Sequence, residues 1–173
     1  WDTVTGRELR SVPSFDGSHL GVRFSPDGKI LIAQTADYET GMVIDAEKGE
    51  IIRSYAKGTA SPDGRLIAQT SWSDNFIHIS AAAGGKEICA LKGHTATPRS
   101  FAFSSDGNLL VSWCPMDNTV KIWSTRSGKA LNSFECRFNC SVFFSPDGSR
   151  VLAAGADTVS IWDTQSGKKI RDA

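Results

Sequence analysis

The sequence carries no excess of charge of either sign. Lysine plus arginine and aspartate plus glutamate each number 19, so the formal net charge is zero. Proteins that bind nucleic acid through its phosphates normally have a basic excess or a basic stripe along one surface. Because this chain has neither, we expect that it does not bind nucleic acid.

Long apolar runs are also missing. No stretch of the chain approaches the ~18 consecutive apolar residues that a membrane-spanning helix needs. Residues 1–12 contain no apolar segment of the kind found in a secretory signal. Hydrophobic residues nevertheless make up 40% of the 173 residues and charged residues 22%, which is the composition of a globular domain. We therefore expect a soluble domain that does not enter a membrane.

Cysteine is scarce, and the few cysteines do not form a metal-binding pattern. Cys136 and Cys140 are spaced like a pair of ligands, but no second pair accompanies them and the histidines lie elsewhere. We expect Cys89, Cys114 and this pair to pack as small hydrophobic groups, without a metal or other cofactor. Free thiols are typical of a reducing compartment, so the predicted location is cytoplasmic.

Short motifs of common enzyme classes are absent as well. The chain has no G-x-S-x-G nucleophile motif, no G-x-x-x-x-G-K-[ST] phosphate loop and no H-E-x-x-H zinc motif. One aspartate recurs four times, but always at the same place in a turn, so these carboxylates do not form an acid–base pair. We therefore expect no enzymatic activity.

The sequence does contain a repeat, because one turn motif occurs four times. The four segments read FSPDGKILIA, ASPDGRLIA, FSSDGNLLV and FSPDGSRVLA. Serine, proline and glycine are each suited to their place in such a tight turn, and Ser105 replaces the proline in the third copy without forbidding it. The serines that open the turns are Ser25, Ser61, Ser104 and Ser145.

A second recurring glycine divides each repeat again. It follows a short apolar segment such as TVKIW and is the first residue of a run such as GKALNSF. The glycines are Gly6, Gly49, Gly85, Gly128 and Gly167. The resulting unit is strand a, serine turn, strand b, loop, strand c, glycine turn and strand d, with no helical periodicity. One such sheet cannot bury both of its faces, whereas stacking sheets around an axis can. The pattern therefore predicts an all-β propeller of four-stranded antiparallel blades.

The ends of strand c carry a family resemblance. They read WD at residues 1–2, IWS at 122–124 and IWD at 161–163, and LKGHT occupies residues 91–95. With the four repeated turns, the chain resembles the WD-repeat β-propeller family over essentially its whole length. In this interpretation residues 1–12 form the outer strand of a preceding blade, and blades 1 to 4 span 13–55, 56–91, 92–134 and 135–173.

The resemblance implies a structural hydrogen-bond set in blade 3, made of His94, Ser112, Asp117 and Trp123. The other blades depart from it. Ile44 and Ile79 stand where tryptophan is expected, and Ser80 replaces the following aspartate in blade 2.

Two spacings depart from the repeat. Ser61 follows Tyr55 by only six positions, against eleven to thirteen positions for the same step in the other blades. Blade 2 is therefore predicted to have a very short inner strand a, to be three-stranded, or to have lost about seven residues, the last of these being favoured.

Residues 1–12 supply one strand more than the four blades need. We interpret the four blades as an arc of a seven- or eight-bladed ring; the alternatives are a closed four-bladed ring and two arcs that pair.

Antiparallel strands place all a–b and c–d turns at one end of the blades, the turn end, and all b–c and d–a loops at the other, the loop end. The turn end is monotonous, whereas the loop end carries large side chains suited to recognition. The candidate partner-binding residues are Tyr38, Trp72, Arg99, Trp113 and Met116. Packing in the core is the alternative for Trp72 and Trp113.

The sequence thus predicts a non-catalytic protein–protein interaction scaffold or sensor region of a larger signalling protein. Its partner would be a protein or peptide, and further blades of the same chain or a second copy would complete the ring. The alternative is a propeller enzyme, either lactonase-like or the propeller domain of a serine peptidase.

Overall fold

The computed structural model describes residues 4–8, 20–35, 40–71, 73–137, 139–155 and 158–172. Every regular element in these ranges is a β-strand. None of them contains a helix long and apolar enough to span a membrane. The strands are β1 (Leu20–Phe24), β2 (Ile30–Thr35), β3 (Thr40–Asp45), β4 (Ile51–Ala56), β5 (Gly58–Ala60), β6 (Leu66–Thr70), β7 (Ile77–Ala81), β8 (Glu87–Leu91), β9 (Ser100–Phe103), β10 (Leu109–Cys114), β11 (Thr119–Ser124), β12 (Ala130–Glu135), β13 (Ser141–Phe144), β14 (Arg150–Ala154), β15 (Val159–Asp163) and β16 (Lys169–Asp172).

The strands form four antiparallel sheets of four consecutive strands each. Blade 1 is β1 to β4, blade 2 is β5 to β8, blade 3 is β9 to β12 and blade 4 is β13 to β16. In every blade the chain runs a, b, c, d in spatial order, so the predicted four-stranded blades of an all-β propeller are confirmed.

The repeated serine turns fold as the sequence predicts. In the first turn the Ser25 hydroxyl donates to Asp27 at 2.6 Å and accepts the Ile30 N–H at 3.0 Å. The Asp27 carboxylate also accepts the Lys29 N–H at 3.1 Å, and Gly28 has φ near +71°, where a side chain would be strained. The same three hydrogen bonds recur in the third turn around Ser104, although that turn has no proline.

Three hydrophobic clusters join consecutive blades. Ile32, Val43 and Tyr55 of blade 1 pack against Ile67 of blade 2. A second cluster joins blades 2 and 3, and the third joins blades 3 and 4. The inner strand β9 contacts both β5 and β13. The a strands therefore lie side by side around the axis and the d strands lie outside.

Blade 2 has four strands, so the three-stranded alternative is wrong. Only Lys57, with φ near +50°, separates β4 from the three-residue strand β5. A Cβ at Gly58 would lie 2.3 Å from the Ala68 carbonyl oxygen, so the first residue of β5 must be glycine to approach β6. The inner strand forms from the residues present, and the blade needs no additional ones to complete it.

The expected assignment of Ile79 to the tryptophan position of blade 2 is also wrong. Equivalent pairs between strands b and c are Leu110 with Trp123 and Ile67 with Ser80. Ser80 therefore occupies the tryptophan position, and Ala81 occupies the aspartate position that Ser80 was predicted to take. Hydrophobic character guided the sequence assignment, but the register of the ladder shifts it by one residue. In blade 1, Ile44 does take this position, opposite Leu31.

Within the described residues, blade 4 and blade 1 do not meet in a shared core. No hydrophobic cluster among the described residues joins blade 4 to blade 1. Their inner strands instead expose Val22 by 56%, Phe24 by 64% and Phe143 by 47%. Exposed apolar side chains that lie together can mark a surface that another part of a protein covers. The described blades form an open arc, and the closed four-bladed ring finds no support in them.

Candidate protein-interaction surface

A cavity of about 530 Å³ lies along the axis of the arc. Inner-strand residues of all four blades line it, including Arg23, Phe101 and Phe143. Its wall also includes Thr35 and Arg99, which lie where β2 ends and just before β9 begins. These positions belong to the loop end, so the cavity extends to the end that the sequence predicts for recognition.

Two predicted contact residues lie exposed at the loop end of blade 3. Arg99 is exposed, its backbone N–H donates to the Trp113 carbonyl at 3.0 Å, and the residue is part of the wall of the axial cavity. Met116, in the loop between β10 and β11, is 75% exposed. Tyr38 and Trp72 lie outside the described residues, so their proposed role stays a prediction.

Trp113 belongs to the core and is not available to a partner. Its side chain is 3% exposed and packs in the cluster between blades 3 and 4. Its indole N–H donates to the Cys136 carbonyl at 3.2 Å, which satisfies the only polar atom of the side chain. Packing in the core is therefore the correct alternative for Trp113, and this residue is not part of the candidate surface.

The loop end of blade 3 rests on a chain of buried hydrogen bonds. His94 Nδ1 lies 2.8 Å from Asp117 Oδ2, and His94 Nε2 lies 2.8 Å from Ser112 Oγ. Ser112 Oγ in turn accepts the Trp123 indole N–H at 2.8 Å. Asp117 Oδ2 also accepts the Thr95 N–H at 3.1 Å. The four residues that the family resemblance brings together are therefore contiguous, and they tie the loop before β9 to the loop before β11.

The donors and acceptors of this chain fit one protonation state. Because Ser112 Oγ accepts from Trp123, its own proton points to His94 Nε2, and the histidine proton lies on Nδ1 and faces Asp117. Burial lowers the pKa of His94 and outweighs the opposing effect of Asp117. Desolvation would raise the pKa of Asp117, but hydrogen bonds from His94, Thr119 and the Thr95 backbone hold it below its ordinary value.

These contacts have the connectivity of a serine–histidine–aspartate triad but not its accessibility. Ser112 is 0% exposed and shares its hydroxyl with Trp123, so no substrate carbonyl can reach it. His94, Asp117 and Cys114 could also be considered as metal ligands from their proximity. Both ring nitrogens of His94 already have protein partners, so the geometry supports a structural role for this group.

Comparisons with known proteins identify the repeat. A family model described as "WD domain, G-beta repeat" matches residues 85–124 and 129–163. A WD repeat-containing protein of Synechocystis is 31% identical over 153 residues, which cover 83% of this chain and 43% of that protein. The chain belongs to the WD-repeat family.

Other relatives agree in fold. The COMPASS component SWD3 of Saccharomyces cerevisiae is 29% identical over 147 residues, which cover 78% of this WD-repeat chain and 44% of the yeast protein. A chain in the crystal structure of the mitotic checkpoint complex superposes with a TM-score of 0.68 at 22% identity, over 92% of this chain and 52% of that chain. The chain thus spans about half the length of each of these three proteins.

The matched WD repeats do not coincide with single sheets. The repeat at 85–124 contains β8 of blade 2 and then β9, β10 and β11 of blade 3. The repeat at 129–163 likewise contains β12 of blade 3 and three strands of blade 4. Each repeat therefore supplies the outer strand of one sheet and the inner three of the next, which links neighbouring WD blades covalently.

Acid should destabilise this WD-repeat domain through His94. Its pKa in the folded state lies below the ordinary value of 6.5, so the unfolded state binds the proton more readily. The stabilisation is complete above that value and is lost as the pH falls through and below it. We expect the urea midpoint to be lower at about pH 5 than at about pH 7.5, a window above the range in which Asp117 titrates.

The matched variant is His94→Gln, which retains hydrogen-bonding groups but cannot titrate. Its stability should change less over the same pH window than that of the unsubstituted protein. An unchanged pH dependence in the variant would mean that another group is responsible.

Sequence reasoning missed the inner-strand part of the candidate surface. Arg23, Phe101 and Phe143 line the axial cavity but lie within strands, whereas the predicted contact residues lie near loops. The sequence offers no clear signal for them, because β1 and β13 carry apolar or basic residues on each face. Which face meets the axis depends on the packing of WD blades, and alternation alone does not reveal it.

Proposed function

We propose that this chain is a non-catalytic interaction scaffold that binds a protein or peptide at its loop end, beside the axis. The observation that carries the proposal is the axial cavity of about 530 Å³ with exposed Arg99 in its wall. Arginine and aromatic groups at the mouth of a cavity can anchor a partner in a site from which water is displaced. Met116, on the adjacent loop, adds an adaptable apolar contact.

A rigid support below the loops favours this proposal. Hydrogen bonds from His94 and Thr95 to Asp117 hold two loops of blade 3 together. The Thr97 hydroxyl also donates to Asn75 at 3.0 Å, which connects the loop before β9 to the b–c loop of blade 2. Loops held in this way lose little conformational freedom when they bind.

The names of the relatives support protein partners. One is a component of COMPASS, and another match comes from a mitotic checkpoint complex. We infer from this that the present chain also works within a protein assembly. The exposed apolar residues of β1 and β13 favour completion of the ring, by further blades or by a second copy.

The binding surface can be tested by comparing its two ends. We expect the double variant Arg99→Ala/Met116→Ala to weaken partner binding by more than ~1 kcal/mol, because exposed anchors are removed without disturbing the core. The matched control, Lys29→Ala/Lys129→Ala, removes two exposed charges from the turn end and should change affinity little. Trp72→Ala is predicted to weaken partner binding to a similar extent as the Arg99→Ala/Met116→Ala variant.

The measurement is quantitative affinity purification from cells, followed by calorimetric titration of the partner that is recovered. Circular dichroism should first establish that every variant is folded. If the lysine variant loses the partner while the Arg99 variant keeps it, the docking surface is at the turn end and the proposal is wrong.

A further inference from the structure

Cys136 and Cys140 form a pair of adjacent buried thiols. Their sulfur atoms are 3.2 Å apart, and the residues are 2% and 5% exposed. Both lie between β12 and β13, in the segment that leads from blade 3 to blade 4 at the loop end. The other two cysteines are separate from this pair, because the Cys89 thiol donates to the Thr125 carbonyl and the Cys114 thiol donates to the Ala96 carbonyl.

Both cysteines belong to the hydrophobic cluster between blades 3 and 4, so the expectation that they pack as small hydrophobic groups is confirmed. Within that cluster their thiols also contact each other across a four-residue spacing. A structural zinc site requires four ligands, and the only potential metal-binding group among the described residues does not include this pair. The close sulfur–sulfur contact is instead the starting geometry for a disulfide.

We propose that Cys136 and Cys140 are a redox-active dithiol that small-molecule disulfides such as oxidised glutathione convert to an intrachain disulfide. One cysteine thiolate attacks a glutathione sulfur, which forms a mixed disulfide and releases one glutathione thiolate. The second cysteine thiolate attacks the protein sulfur of that bond and releases the other. The protein loses two protons and two electrons, and one oxidised glutathione becomes two reduced molecules.

The geometry favours bond formation once a thiolate is generated. A disulfide has its sulfurs about 2.05 Å apart, so the two atoms must approach by roughly 1 Å, within reach of small side-chain rotations. The hydrogen bond that the Cys140 thiol shares with Cys136 and the burial of the site both favour the protonated thiol, so they raise the pKa of Cys140. Attack therefore requires the segment to open, and the reaction should accelerate with increasing pH.

The pair is positioned to affect the loop end. The Cys136 backbone N–H donates to the Asn118 carbonyl at 2.8 Å, and its carbonyl accepts the Trp113 indole N–H. Two residues after Cys140, the Val142 N–H donates to Ser100 Oγ at 3.0 Å. A disulfide here would close a five-residue ring between the anchors of blades 3 and 4, next to the loop that carries Met116.

Peptide mapping of the folded full chain tests the proposal. The reduced protein is incubated with oxidised glutathione in native buffer, the remaining thiols are alkylated to stop exchange, and the protein is then digested with trypsin. Cleavage after Arg137 places the two cysteines on different peptides, so the disulfide is detected as one cross-linked pair. We expect this product, lighter by two hydrogens, and we expect it to form faster at higher pH.

Matched serine variants distinguish the steps. Cys89→Ser should form the Cys136–Cys140 disulfide at the rate of the unsubstituted chain. Cys136→Ser and Cys140→Ser should never lose the two hydrogens and should stop at a glutathione adduct or stay reduced. Circular dichroism of each variant checks that it is folded. If a variant does not fold, the peptide map of the unsubstituted protein still tests the proposal.

Three results would overturn the proposal. One is glutathionylation of Cys89 while Cys136 and Cys140 remain reduced. A second is a disulfide that joins Cys136 or Cys140 to a different cysteine. A third is a cross-link that forms only in denaturant, because the folded arrangement would then not promote it.

Discussion

Trp123→Ala is expected to lower the free energy of unfolding by about 3–5 kcal/mol, the usual range for removal of a core aromatic side chain. The Trp123 side chain is fully buried and belongs to the cluster between blades 2 and 3. The His94 ring contacts it edge-on, with 5.7 Å between ring centroids. The substitution would leave a cavity between two blades and would remove the indole donor from Ser112. Equilibrium urea unfolding measures the effect.

Trp123→Phe provides the matched control. Phenylalanine keeps most of the buried surface but lacks the N–H that donates to Ser112, so it should cost less, about 1–2 kcal/mol. His94→Ala should fall between the two, at about 1–3 kcal/mol, because Ser112 and Asp117 would each lose a partner. If Trp123→Ala left the urea midpoint unchanged, the assignment of Trp123 to the inter-blade core would be wrong.

Gly41→Ala is expected to destabilise blade 1 by about 3 kcal/mol, at the upper end of the range for an over-packed core. A Cβ at Gly41 would lie 2.2 Å from Cζ of Tyr55, whose ring is 5% exposed in the cluster between blades 1 and 2. The φ of Gly41 is not in the left-handed region, so steric contact alone causes the effect. Thermal and urea unfolding would detect it.

A double-mutant cycle separates this contact from a general intolerance of alanine. In a Tyr55→Ala background the obstructing ring is gone, so Gly41→Ala should become neutral or slightly stabilising. Gly21→Ala is the matched control, because its Cβ would meet only the Gln34 carbonyl at an ordinary 3.8 Å. Equal losses from Gly41→Ala in both backgrounds would contradict the packing explanation.

Much of the fold could be predicted because its information is local. The serine turns use hydrogen bonds between residues two to five positions apart, as between Ser25, Asp27 and Ile30. Such contacts depend only on the local sequence, so they recur wherever the short segment recurs. The hydrogen-bond set of blade 3 is different, because its members lie 11 to 23 positions apart in the chain. Only the family resemblance indicated these residues.

The candidate surface could be predicted only in part, because exposure depends on how blades stack. Trp113 and Met116 lie three residues apart near the same loop, yet one is 3% exposed and the other 75%. Trp113 packs in the interface between blades 3 and 4. The residues next to Trp113 in the chain do not predict that interface. The contact between Gly41 and Tyr55 could not be predicted for a different reason, because it depends on the register of β3 against β4 within blade 1.

Local chemistry was therefore sufficient for the turns, the strand order and the repeat, because each depends on neighbouring residues and on hydrogen bonds of short range. Ladder register and inter-blade packing needed the folded chain. The shift from Ile79 to Ser80 and the formation of β5 from three residues each depend on how separate strands pair with one another. A one-residue change in register exchanges the two faces of a strand, so these features become defined only when the blades pack.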